Sequence, residues 1–133
     1  MIYYLQVYAV TFAVFFVIDL LWLGVVARDF YRKQLGSRMR NPVNWPAAIV
    51  FYLLFILGLL VFVLLPALDR SSWQYALGMG AFFGLITYAT YDLTNLATLR
   101  DWPLPMTIVD LIWGTVLAAS TALGSYAILQ WLA

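Results

Sequence analysis

Tyr91-Asp92-Leu93-Thr94-Asn95 sets a carboxylate and an amide one helical turn apart inside a segment, residues 73–99, that otherwise suits a hydrocarbon environment. Polar groups are costly in lipid, so an ionisable side chain at that depth must be neutralised, paired or turned toward a water-filled pocket. The stretch therefore predicts an intramembrane helix whose polar side faces other helices. Asp19 and Asp110 lie in similar apolar surroundings.

The composition points the same way. Of 133 residues, 65% are apolar, 18% aromatic and only 10% charged, far from the balance of a soluble domain. Cysteine, histidine and glutamate are absent, which excludes disulfides, histidine-held haem, the usual zinc sites and Glu-plus-His di-iron helices. No cofactor and no nucleic-acid partner is expected; membrane lipids are.

Outward from the central stretch, four spans are predicted, at about residues 2–27, 45–66, 73–99 and 105–132. Each exceeds the roughly 20 residues needed to cross a bilayer. No basic residue precedes the first and no small-residue cleavage site follows it, so it is expected to remain in the mature protein. Residues 28–42, with five of the seven basic side chains, read as a water-facing loop. Gly78, Gly80, Ala81 and Gly84, and then Gly114, Ala118 and Ala122, form small-residue stripes that let helices approach closely. The prediction is an all-α integral membrane four-helix bundle in one domain, since loops this short join antiparallel neighbours. Whether it forms a homo-oligomer stays open.

Six basic residues, Arg28, Arg32, Lys33, Arg38, Arg40 and Arg100, fall on one side and only Arg70 on the other. The positive-inside rule puts the six in the cytoplasm and both termini outside. The first five read as a topology signal, with a seat for anionic headgroups as the alternative.

At about 1.5 Å of rise per residue, Asp19 lies ~13 Å from Arg28, Asp92 ~12 Å from Arg100, Asp110 ~8 Å inside Pro105 and Tyr52 ~9 Å inside the second span. All four fall in one polar layer of the cytoplasmic half. Helical spacing puts Tyr88, Asp92 and Asn95 on one face, Asp19 with Trp22 on another, and Asp110 with Thr107 and Trp113 on a third. Much of the polar half of the third span, Thr87 to Thr98, is expected to face the bundle interior. Three carboxylates in a low-dielectric layer cannot all stay ionised unless a cation or arginine compensates.

The candidate site is therefore a pocket of Asp19, Trp22, Tyr52, Tyr88, Asp92, Asn95, Asp110 and Trp113 for a lipid or other amphipathic small molecule. A protonated aspartate would serve as general acid if the molecule is modified there. Two rival readings are a proton-coupled transporter and aspartates that only join helices. Oxygen ligands would suit Mg²⁺ or Mn²⁺, but no ligand spacing supports a metal and none is expected. Ile18-Asp19-Leu20-Leu21-Trp22 and Val109-Asp110-Leu111-Ile112-Trp113 share a pattern on oppositely directed helices, a trace of an inverted repeat or a chance match in a leucine-rich chain.

Asp19-Leu20-x-Trp22-Leu23-Gly24, Thr90-Tyr91-Asp92-Leu93-Thr94-Asn95 and Asp110-x-x-Trp113-Gly114 together resemble domain of unknown function family 2177, over essentially the whole chain. The resemblance implies a small four-span bacterial inner-membrane protein and carries no activity with it. The topology is directly testable because the chain has no native cysteine. Ser37→Cys is expected to react with an impermeant maleimide only after cells are opened, and Ser72→Cys in intact spheroplasts; the reverse pattern would invert the orientation.

Overall fold

The computed structural model describes residues 1–38 and 44–133; Arg40 lies outside them, as do the side chains of Arg28 and Arg38. Helix α1 (Ile2–Leu21) runs into a wide π-helical turn, Trp22–Val26. A short helix, α2 (Arg28–Leu35), follows, and then the long helices α3 (Trp45–Asp69), α4 (Trp73–Thr98) and α5 (Leu104–Leu132). No strand occurs among the described residues. The fold is an all-α membrane helical bundle.

Three helical segments, Ile2–Gly24, Trp45–Asp69 and Leu104–Leu132, are long and apolar enough to cross a membrane. Helix α4, the predicted third span, has the length at 26 residues. Its small first half and its threonine- and tyrosine-rich second half lower its apolar content, which sets it apart from the other three.

Local chemistry accounts for the helix ends. The Asn44 side chain accepts from the Ala47 N–H at 3.3 Å, and Pro46 in the first turn lacks a donor where none is needed. Ser72 caps α4 by accepting from the Tyr75 N–H at 3.0 Å. The turn before it closes when the Ser72 N–H bonds the Ala67 carbonyl at 3.0 Å, with Ser71 at φ 50°. Within α3, a π-helical turn at Leu60–Leu64 precedes Pro66, whose ring and missing N–H would disturb a regular ladder.

Helix α5 is the centre of the bundle. Its buried positions include Gly114, Leu117, Ala118, Thr121, Ala122 and Ser125. On one side it packs antiparallel to α4 with almost no side chain between them. A Cβ at Gly80 would stand 3.0 Å from both the Ala118 oxygen and the Ala122 Cβ, and one at Gly84 would run into the Gly114 carbonyl and the Ala118 Cβ. Gly114 in turn leaves room for the Tyr88 ring. Gly78 faces open space, so of the three glycines predicted on α4 Gly80 and Gly84 make the close approach.

On its other side α5 meets α1, and α3 closes the bundle over a core of Phe15, Phe55, Ile56, Leu59 and Leu117. Phe15 and Tyr52 meet at 5.7 Å and Phe55 and Phe83 at 5.4 Å. Large apolar side chains such as Val17, Leu20, Leu54 and Phe62 remain on the outside, as lipid contact requires.

Adding one methyl at a contact this tight costs about 1 to 3 kcal/mol through displaced neighbours. Gly84→Ala and Gly114→Ala are expected to lower the unfolding midpoint in detergent, while Gly78→Ala leaves it level or raises it. Equal melting of all three variants would contradict the proposed backbone contact.

Candidate functional site

The polar layer forms where α1, α3, α4 and α5 converge toward α2. Asp92 is fully buried and Asp19 is 5% exposed, while Asp110 is half-buried. A cavity of about 280 Å³ is lined by Asp19, Tyr52, Tyr88, Asp92, Asp110 and Trp113 from the predicted set, and also by Leu23, Tyr31, Leu35, Phe51, Tyr91 and Met106. Trp22 and Asn95 do not line it.

Each carboxylate has a different environment. Asp19 has the Trp113 indole and the Tyr52 hydroxyl as hydrogen-bonding neighbours. Asp110 accepts from the Tyr31 hydroxyl at 2.8 Å, and that hydroxyl accepts from the Trp22 indole N–H at 3.2 Å. No N–H or hydroxyl donor reaches either oxygen of Asp92. Its neighbour is the Asp110 carboxyl, placed to hydrogen-bond with it when the two share one proton. Trp22 therefore supports the layer from behind, stacked on Trp113 with centroids 4.5 Å apart and planes 9° from parallel. The π-helical turn that begins at Trp22 sets where this ring leaves the helix.

The two aspartate-leucine-x-tryptophan segments thus meet crosswise. Asp19 lies by Trp113, while Trp22 reaches Asp110 through Tyr31. The contact of Val14 with Gly124 further along shows the same antiparallel run of α1 and α5.

Tyr31 is the residue that sequence reasoning missed. Residues 28–35 were expected in a water-facing loop, but they form α2, with Arg32 and Lys33 exposed and Phe30, Tyr31, Gln34 and Leu35 half-buried. That three-and-four spacing is the amphipathic signal of a helix lying on a surface. Burial, and behind it the charge of Asp110, holds the Tyr31 phenol well above the usual tyrosine range. It stays a hydroxyl and a donor.

Helix α4 also corrects an expectation. Thr90, Thr94 and Thr98 are exposed rather than turned inward, and Tyr91 is exposed while lining the edge of the cavity. Threonine can do this because its hydroxyl bonds the carbonyl one turn back: Thr87 to Phe83 at 2.9 Å, Thr90 to Ile86 at 2.7 Å and Thr98 to Thr94 at 2.8 Å. Asn95 pairs with the Tyr91 hydroxyl and not with Asp92.

Two further openings adjoin the cavity. Helices α3 and α4 touch at Phe55, Phe83 and Tyr88 and then part. The gap holds a largely apolar cavity of about 340 Å³ lined by Phe51, Thr87, Tyr88, Tyr91 and Asp110. Four of these residues also line the cavity with the carboxylates, so the two adjoin. A polar cleft of about 500 Å³, between Lys33, Gln34, Ser37, Arg100 and Asp101, shares Leu35 with it. Among the described residues no group of three or more His, Cys, Asp or Glu side chains is placed to hold a metal ion.

No curated protein and no solved structure matches this chain. The family described as predicted membrane protein, domain of unknown function 2177, matches residues 4–127. With nearly the whole chain covered by that match, the protein belongs to this family of predicted membrane proteins.

Proposed function

We propose that this is a four-span protein of the bacterial inner membrane, with both termini outside, whose cytoplasm-facing pocket binds a lipid or other amphipathic small molecule. The carrying observation is that a largely apolar cavity in the α3–α4 gap adjoins a cavity lined by three carboxylates, the two sharing Phe51, Tyr88, Tyr91 and Asp110. An amphiphile likewise joins an apolar chain to a polar group. Its chain would lie between Phe51 and Tyr91, which are 47% and 57% exposed, and its polar group would reach the aspartates. Entry from the side spares the chain a passage through water.

A purely structural role for Asp92 rests on a proton shared with Asp110, since no N–H or hydroxyl of a neighbouring helix reaches either of its oxygens. An asparagine would join the helices without that proton. Covalent catalysis by serine or cysteine is disfavoured, since neither residue type lines the cavity. The exposed Lys33 and Arg32 lie at the cytoplasmic end, where anionic headgroups of the surrounding bilayer would meet them.

Native mass spectrometry of the protein released from detergent is expected to show a retained ligand of lipid size, weakened in Asp92→Asn. A ligand-free wild type, indistinguishable from Asp92→Asn in mass and stability, would return the aspartates to a packing role.

A further inference from the structure

We propose that the group taken into the polar cavity is a cation, an ammonium carried by an amphiphile, and that anionic headgroups are excluded from it. This rests on the pocket reading above and narrows it to a chemical class.

The first ground is charge. Asp19, Asp92 and Asp110 line one cavity, and among the described residues no lysine or arginine does. Asp19 and Asp110 have N–H or hydroxyl donors within the protein, whereas the fully buried Asp92 has only the Asp110 carboxyl beside it. One proton shared by Asp92 and Asp110 leaves a negative charge on the pair, next to Asp19, and a buried acceptor without a donor, which is costly. A group that both donates hydrogen bonds and carries positive charge meets both needs. A phosphate or carboxylate head would add repulsion to each of them. A sugar or glycerol head could donate but would leave the charge unbalanced.

The second ground is independent of charge. Tyr52, Tyr88 and Tyr91, from two different helices, line the same cavity as the carboxylates. Ring faces attract cations through their quadrupole, most strongly when water is displaced. Carboxylates and tyrosine rings lining one cavity are the groups that hold an ammonium. The adjoining apolar gap beside Phe51 and Thr87 accommodates the attached chain.

The experiment uses the full chain in an uncharged detergent and three probes of equal chain length: octylamine, octanoate and octyl glucoside, competed in native mass spectrometry. Octylamine is expected to be retained about tenfold or more over octanoate, and Asp92→Asn to lose about tenfold of that binding, as when a buried charge loses its partner. Asp19→Asn gives the same reading if Asp92→Asn does not assemble. Retention of octanoate or octyl glucoside as well as octylamine, or octylamine binding unchanged in a folded Asp92→Asn, would overturn the cation assignment and leave the pocket standing. Retention of none of the three would take the pocket reading down with it.

Discussion

The near-contact of two backbones, α4 and α5, governs this structure. Lipid offers no hydrophobic drive for one apolar helix to meet another, so association depends on close packing. Gly80, Gly84 and Gly114 remove the side chains that would hold the helices apart. Their interlocking also sets the register of the pair. Once Gly84 meets Gly114 and Ala118, Tyr88 must lie over Gly114, and Asp92, one turn further, must lie beside Asp110. The site is thus placed by residues that have no polar atoms in their side chains.

Helix α1 completes the layer by a different means. Its Asp19 and Trp22, one turn apart, meet the similarly spaced Asp110 and Trp113 of the oppositely directed α5. A stacked indole pair contributes about 0.5 to 1.5 kcal/mol beyond the area it buries. Its larger effect is directional, because a flat stack fixes both rings and so the path of the indole N–H bonds. Tyr31 then ties the surface helix α2 to α5 through Asp110. The polar layer consequently joins the short amphipathic helix to the long helices of the bundle.

Much of this could be read from the residues, and the exceptions have physical reasons. All-α membrane character follows from long apolar runs, which leave the backbone no other way to satisfy its hydrogen bonds. The four-residue spacing of Gly80 with Gly84, and of Gly114 with Ala118 and Ala122, pointed to the close approach. Tyr31 was hidden because charged neighbours dominate its stretch, and charge reads as solvent exposure even where one side of a short helix is half-buried. Asn95 went astray because helical spacing places residues on a face without saying which neighbour they choose. There Tyr91, four residues back, is as near as Asp92 and offers a hydroxyl.

The threonines of α4 bear on how this helix meets its surroundings. Hydropathy tables charge each hydroxyl for its dehydration, as though it entered lipid with no partner. Thr87, Thr90 and Thr98 have already bonded the carbonyl one turn behind them. What each then shows outward is mostly a methyl group, so in this setting threonine becomes an isostere of valine. Judged by composition, α4 is the most polar of the long helices, yet the surface it turns outward is considerably more hydrocarbon-like than its letters suggest.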